Sequence, residues 1–355
     1  MRRSPPCAGE ADSVRVPQLR PPAVPSAAGS AGGGFVQLIF AEVVGPRLRR
    51  TVRAFDVQTL TFSTFRATLA LAQLITLVTT PYDALMQTLV GSGAGPICDG
   101  LRRASTYCIG QSLPEELVTS VMVLILVCVA VGLLPTVMAI LHAWVAFSIA
   151  ASISLPDGGD QVAAVCALLL IGVSVADRRP WALASPRGAA SWRRQVALAG
   201  LMVMRVQIAT IYFNAAIAKL FAPDWVNGTA EFYVLRDPFF GASGPFAPVL
   251  EAATTNAAVT VAATWGAVLT ELSVGVLILC GPRSRSLAMA LCLALHGSII
   301  IAMGLWSFGL IMIGSVGIAA MPYTPHEREQ QVWTALRKRA GEKPKRLVGS
   351  EAAVR

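Results

Sequence analysis

Charge is scarce in this chain. Of its 355 residues, 14% are charged and 54% are apolar, whereas about 25% of an ordinary soluble domain is charged. So little charge cannot furnish the polar shell a soluble domain of this size needs, and a soluble enzyme is excluded first. Lysine is rarer still, four against 25 arginines, and histidine occurs three times. No Cys-x-x-Cys or Cys-x-x-His spacing occurs, so the sequence indicates no zinc, no haem and no other metal. No Walker loop and no Gly-x-Gly-x-x-Gly occurs, so nucleotide chemistry has no support. The strict alternation of a membrane β-barrel strand is also missing. Disorder is excluded for the body of the chain by its apolar content and its mean hydropathy of +0.61.

What is present is a series of continuous apolar runs. Eight spans are predicted, at about 60–80, 117–134, 137–155, 161–176, 196–218, 257–280, 286–303 and 306–321. The fold class is therefore all-α: a polytopic membrane bundle of about eight transmembrane helices, with the lipid bilayer as its first partner. Residues 1–34, rich in Pro, Ala, Gly and Ser, read as a disordered cytoplasmic tail. Residues 35–59 form an interfacial basic segment, and Arg47-Leu-Arg-Arg-Thr-Val-Arg-Ala-Phe reads as an amphipathic helix on the membrane surface. The transmembrane domain covers 60–325, and 326–355 is a basic cytoplasmic tail.

The net charge of +9 suggests nucleic acid at first sight. The basic residues instead sit in short loops between apolar runs, as the positive-inside rule requires, so no nucleic-acid partner is expected. With the N-terminus inside, 23 basic residues are inner, four are outer, and Arg66 and Arg205 lie within spans. Both termini are expected in the cytoplasm, with loops 81–116 and 219–256 facing outward. The Arg-over-Lys and Ala-rich bias points to a GC-rich bacterial gene, hence a multi-pass protein of a bacterial plasma membrane. On the oxidising side, Cys98 and Cys108 are ten residues apart. They are either two free thiols or a disulfide, which would contribute about 2–3 kcal/mol.

Ionisable residues inside a span cost about 2.5–3.5 kcal/mol on insertion scales and are functional candidates. Here they are Arg66, His142, Arg205, Lys219, Glu271 and His296. Arg205, Tyr212 and Lys219 stand at i, i+7 and i+14, on one face of one helix. Nearby alanines permit close helix contact. That stripe is either a cavity wall, or structural glue in which Arg205 pairs with Glu271 and Lys219 snorkels to the interface. Trp225 and Tyr233 suit the interfacial aromatic belt. In the Pro156-Asp-Gly-Gly-Asp-Gln turn, Asp160 can cap the following span, and the carboxylate pair offers two cation ligands.

Arg205-Val-Gln-Ile-Ala-Thr-Ile-Tyr-Phe-Asn-Ala-Ala-Ile-Ala-Lys-Leu followed by Asp224-Trp-Val-Asn-Gly-Thr-Ala resembles the core of the HTTM superfamily. That superfamily joins bacterial membrane proteins to the vitamin K-dependent γ-glutamyl carboxylase. Glu271-Leu-Ser-Val-Gly, Leu295-His-Gly-Ser and Leu305-Trp-Ser-Phe-Gly-Leu-Ile-Met are similar to its later helices. Within it, Leu141-His-Ala-Trp-Val-Ala-Phe-Ser, Asp157-Gly-Gly-Asp-Gln and Ala176-Asp-Arg-Arg-Pro-Trp resemble the sporulation-delaying protein B (SdpB) family. The SdpB resemblance implies maturation or export of a secreted antimicrobial peptide toxin, with an SdpA-like protein and a peptide precursor as partners. The expected binding surface comprises Asp157, Asp160, Gln161, Asn214, Trp225 and Gly228. The carboxylase resemblance implies an intramembrane enzyme on a quinol-like lipid. Lys219 would be its base, Tyr212 and Arg205 would line its pocket, and Glu271 and His296 would assist. The carboxylase's Asn-His pair is replaced here by Asp160-Gln161, so glutamate carboxylation is not expected. No cofactor is assigned; a quinone enters through the resemblance alone. A small-solute transporter is the weaker alternative, since no internal repeat or Gly/Pro-broken helix pair is found.

Overall fold

The computed structural model describes residues 45–87, 95–154 and 158–323. The expected tails, the stretch 35–44 and Asp157 lie outside the described residues. The chain divides into two compact units, 1–49 and 50–355, and the bundle belongs to the second.

Nine helices of ten or more residues occur among the described residues: α1 Gly45–Ala54, α2 Leu60–Thr79, α3 Glu115–Val131, α4 Pro135–Ser152, α5 Gly158–Ser174, α6 Ser191–Leu220, α7 Ala257–Leu279, α8 Pro282–Met303 and α9 Trp306–Ala320. No strand occurs there beyond an isolated bridge between Leu133 and Trp181. The eight expected spans thus appear as α2–α9. Five of them (α2, α4, α6, α7 and α8) are long and apolar enough to cross a membrane, while α5 and α9 are apolar but shorter. Helix α3 has 17 residues, a rise of about 26 Å. Crossings this short need a locally thinned bilayer or help from the flanking turns.

Local chemistry sets the helix ends. The Thr59 hydroxyl accepts from the Phe62 N–H at 3.0 Å and starts α2. Helix α3 stops at Gly132, whose φ of +86° is left-handed, and Pro135 opens α4 at a position that needs no N–H. The Asn256 side chain accepts from Ala258 and Val259 at the start of α7. Asp160, expected as a cap, sits in the first turn of α5 and is buried.

Consecutive helices pack pairwise from α2 to α9, and α9 returns to pack on α2, α5 and α6. Its composition permits this. A Cβ on Gly314 would stand 3.0 Å from the Phe65 carbonyl oxygen, and one on Gly317 would collide with the Phe65 ring. Small residues let backbones approach where lipid supplies no hydrophobic drive between helices. Buried polar groups add further ties, beginning at the same level of α2. Arg179 and Asp177 form a fully buried ion pair at 2.7 Å. Arg66 donates to the Pro135 carbonyl at 3.2 Å, and His142 Nε2 lies 2.9 Å from the Gln73 side-chain oxygen.

Candidate functional site

Helix α6 carries three of the expected side chains at different depths. Lys219 lies in its last turn and donates to both oxygens of Glu271 on α7, at 2.7 and 2.9 Å. The Trp225 ring covers the same ammonium, 5.0 Å from its centroid. Two turns deeper, the Tyr212 hydroxyl lies 2.9 Å from His296 Nε2 on α8 and donates to Cys292 Sγ at 3.5 Å. His296 is 3% exposed, and its Nδ1 has no hydrogen-bond partner.

These groups border two adjoining cavities. The first, about 350 Å³, is lined by Gln161 and Val162 of α5, Gln207, Tyr212 and Asn214 of α6, Glu271, His296 and Phe308. The second, about 530 Å³, lies between α7 and α8 and is headed by Lys219, Trp225, Glu231 and Glu271. Glu271, His296 and Phe308 belong to both. The walls are mainly apolar, with a few converging polar groups, the usual make-up of a ligand cavity.

The structure therefore gathers Tyr212, Lys219, Glu271, His296, Gln161, Asn214 and Trp225, and leaves other expected residues elsewhere. Arg205 lies one seven-residue step below Tyr212, about 10 Å along the axis, and lines neither cavity. It is 3% exposed and donates to the carbonyls of Ala319 at 2.7 Å and Met321 at 2.9 Å, and to the Tyr323 hydroxyl at 2.7 Å. It closes the end of α9 instead of pairing with Glu271. Arg285 also lies over the ring of this tyrosine, 5.2 Å from its centroid, and Arg205 at 4.8 Å. Burial opposes ionisation of the Tyr323 phenol, but Arg205 and Arg285 outweigh it and hold its pKa below the ordinary value. Asp160 lines a separate cavity of about 210 Å³ with Thr76, Thr80 and Ser154. Gly228 lines neither of the two cavities. Its φ of +76° turns the chain so that Ala230–Val234 lies against α7, where the Glu231 N–H donates to Thr264 at 3.2 Å. A disulfide joins Cys98 and Cys108, with Cα atoms 5.6 Å apart.

Two cavity residues escape the sequence reading. Gln207 stands seven residues before Asn214, so the spacing that links Tyr212 to Lys219 would have found it. Glu231 lies in a polar loop, where a carboxylate attracts no notice. Burial raises its pKa above the ordinary glutamate value, Lys219 opposes the rise and Glu271 adds to it.

The HTTM domain family matches residues 161–320. The chain is 28% identical over 270 residues to the sporulation-delaying protein SdpB of Bacillus subtilis, covering 74% of this chain and 81% of SdpB. The chain is thus similar to SdpB, and its second half resembles the HTTM domain family. It is also 28% identical over 274 residues to the uncharacterized protein YitO of the same organism, covering 75% of this chain and 88% of YitO. No solved structure matches it. The HTTM region runs from α5 to α9 and contains Tyr212, Lys219, Glu231, Glu271 and His296. Helices α2–α4 of this SdpB-like protein lie before it.

Proposed function

We propose that this SdpB-like membrane protein acts in the maturation or export of a secreted antimicrobial peptide toxin. The observation that carries the reading is the pair of adjoining, apolar-walled cavities that share Glu271 and His296, with Tyr212 lining one and Lys219 the other. Such a hollow suits an apolar chain that carries few polar groups. The relative SdpB is named for delaying sporulation, and the SdpB resemblance supplies the peptide, its precursor and an SdpA-like partner. The asymmetry of basic residues supports a bacterial plasma membrane, both termini in the cytoplasm, and the Lys219 end facing outward. The test is a strain lacking this gene that expresses a candidate precursor. It is expected to retain unprocessed precursor; fully processed, secreted peptide from that strain overturns the proposal.

A second reading is favoured by one contact. A phenol and an imidazole 2.9 Å apart, at the wall of a cavity large enough for a quinol ring, would suit acid–base work with Lys219 as the base. Lys219→Arg separates the two. Arginine keeps the charge and the partner Glu271 but cannot serve as a base near neutral pH. The export reading expects activity close to that of the parent, and the enzyme reading expects at least a hundredfold loss, roughly the low end of a general base's worth.

A further inference from the structure

We propose that the groove between α7 and α8 docks one transmembrane helix: an apolar segment with a single basic group at the end that meets Glu231. The inference rests on the export reading for the identity of the segment, but not for the existence of the groove.

The walls are the first observation. Ala263, Ala267 and Thr270 stand at i, i+4 and i+7 on α7, facing Ala294, Ser298 and Ala302 at i, i+4 and i+8 on α8. The α7 wall thus presents small side chains over about two helical turns, and on α8 a row of small side chains runs between Leu291, Leu295 and Ile299. Small residues at this spacing let a third backbone come close, which is how helices associate in lipid. An acyl chain adapts to any apolar surface and needs no such spacing. Gly266 belongs to the same wall, and nothing lies within 4 Å of where its Cβ would stand. No contact inside this chain therefore requires a glycine there.

The head of the groove is the second observation. Lys219 is engaged by Glu271. Glu231 lines the same cavity and forms no salt bridge among the described residues. Two carboxylates thus face one ammonium, and the local balance calls for one more cation. His296 Nδ1, buried and without a partner, borders the cavity on its inner wall. A helix with a lysine, an arginine or a free amine at its end supplies the charge, and its side chains fill the space between the walls.

The test uses the full chain in lipid nanodiscs. The probe is a synthetic twenty-residue Leu/Ala helix with one terminal lysine and a diazirine-bearing leucine one turn from it, because Glu231 lies level with Thr264; its twin carries glutamine in place of the lysine. Cross-links mapped by mass spectrometry are expected on 263–270 and 294–302. Ala267→Leu combined with Ser298→Leu should lower the yield about tenfold. Leu269→Trp, on the exposed face of α7, should leave the yield unchanged. Glu231→Gln should lower the yield of the lysine peptide about fivefold and leave that of its twin unaltered. This last comparison stays decisive even if the filled groove misfolds. Labels spread evenly over the exposed helices, or equal response of both peptides to Glu231→Gln, overturn the proposal. So does a co-purifying phospholipid that the peptide fails to displace. Docking of the probe alongside normal toxin secretion without the gene would leave the groove standing and remove the export reading.

Discussion

A charge that meets its partner inside a membrane protein is worth less than the penalty for losing one half of the pair. Lys219 and Glu271 illustrate this, with side chains 22% and 13% exposed. Glu271→Leu or Lys219→Met alone should each lower stability by about 1–3 kcal/mol, below the range for fully buried pairs because water still reaches both groups. The double variant should lose less than the sum, as thermal unfolding in detergent can measure. Glu231 supplies a prediction with a sign. Its carboxyl pKa is raised by burial, so its contribution to stability is complete below the unfolded value of about 4.3 and is lost as pH rises through the folded value. The melting temperature of Glu231→Gln should therefore rise relative to the parent as pH increases from about 4 to 7. An unchanged difference across that range would show that Glu231 titrates normally. At this scale the sequence announced Tyr212, Lys219, Glu271 and His296, because polar groups stand out against an apolar run. It did not announce Glu231, whose neighbours are polar too.

Helix α9 is the element on which the bundle depends. Fifteen residues long, it packs on α2, α5, α6 and α8, and its glycines allow this. Gly317→Leu drives a side chain into the Phe65 ring and should cost more than about 3 kcal/mol or prevent folding. Gly266→Ala, in open space, should be neutral or slightly stabilising, by up to about 1 kcal/mol. Equal effects of the two would refute the close approach at α9. The one-face reading of α6 places Arg205 in the inner half and Lys219 at the outer end of one stripe, and leaves the partner at each height open. Arg205 and Tyr212 share an angular position, yet Arg205 serves the carbonyls of Ala319 and Met321 while Tyr212 meets His296. Periodicity specifies direction around an axis; the neighbour at each height depends on the fold.

At the scale of the whole molecule, two cysteine features test the proposed orientation. Cys280 is a free, exposed thiol at the end of α7, on the side the basic residues mark as cytoplasmic. In a Cys7→Ser background, a membrane-impermeant maleimide should label Cys280 only after permeabilisation. Cys98 and Cys108 should label from outside after reduction; the opposite pattern would reverse the topology. The sequence by itself determined the class, the eight apolar helices and their approximate bounds. These follow from hydropathy summed over about twenty residues against a bilayer of fixed thickness, a property local to each stretch. Only the tertiary structure decided that Lys219 meets Glu271, that Arg205 closes α9, and that two cavities share His296 as a wall. Between helices in lipid no hydrophobic gradient selects partners. Selection falls to small residues and polar pairs far apart in the chain, which acquire meaning once the helices are packed.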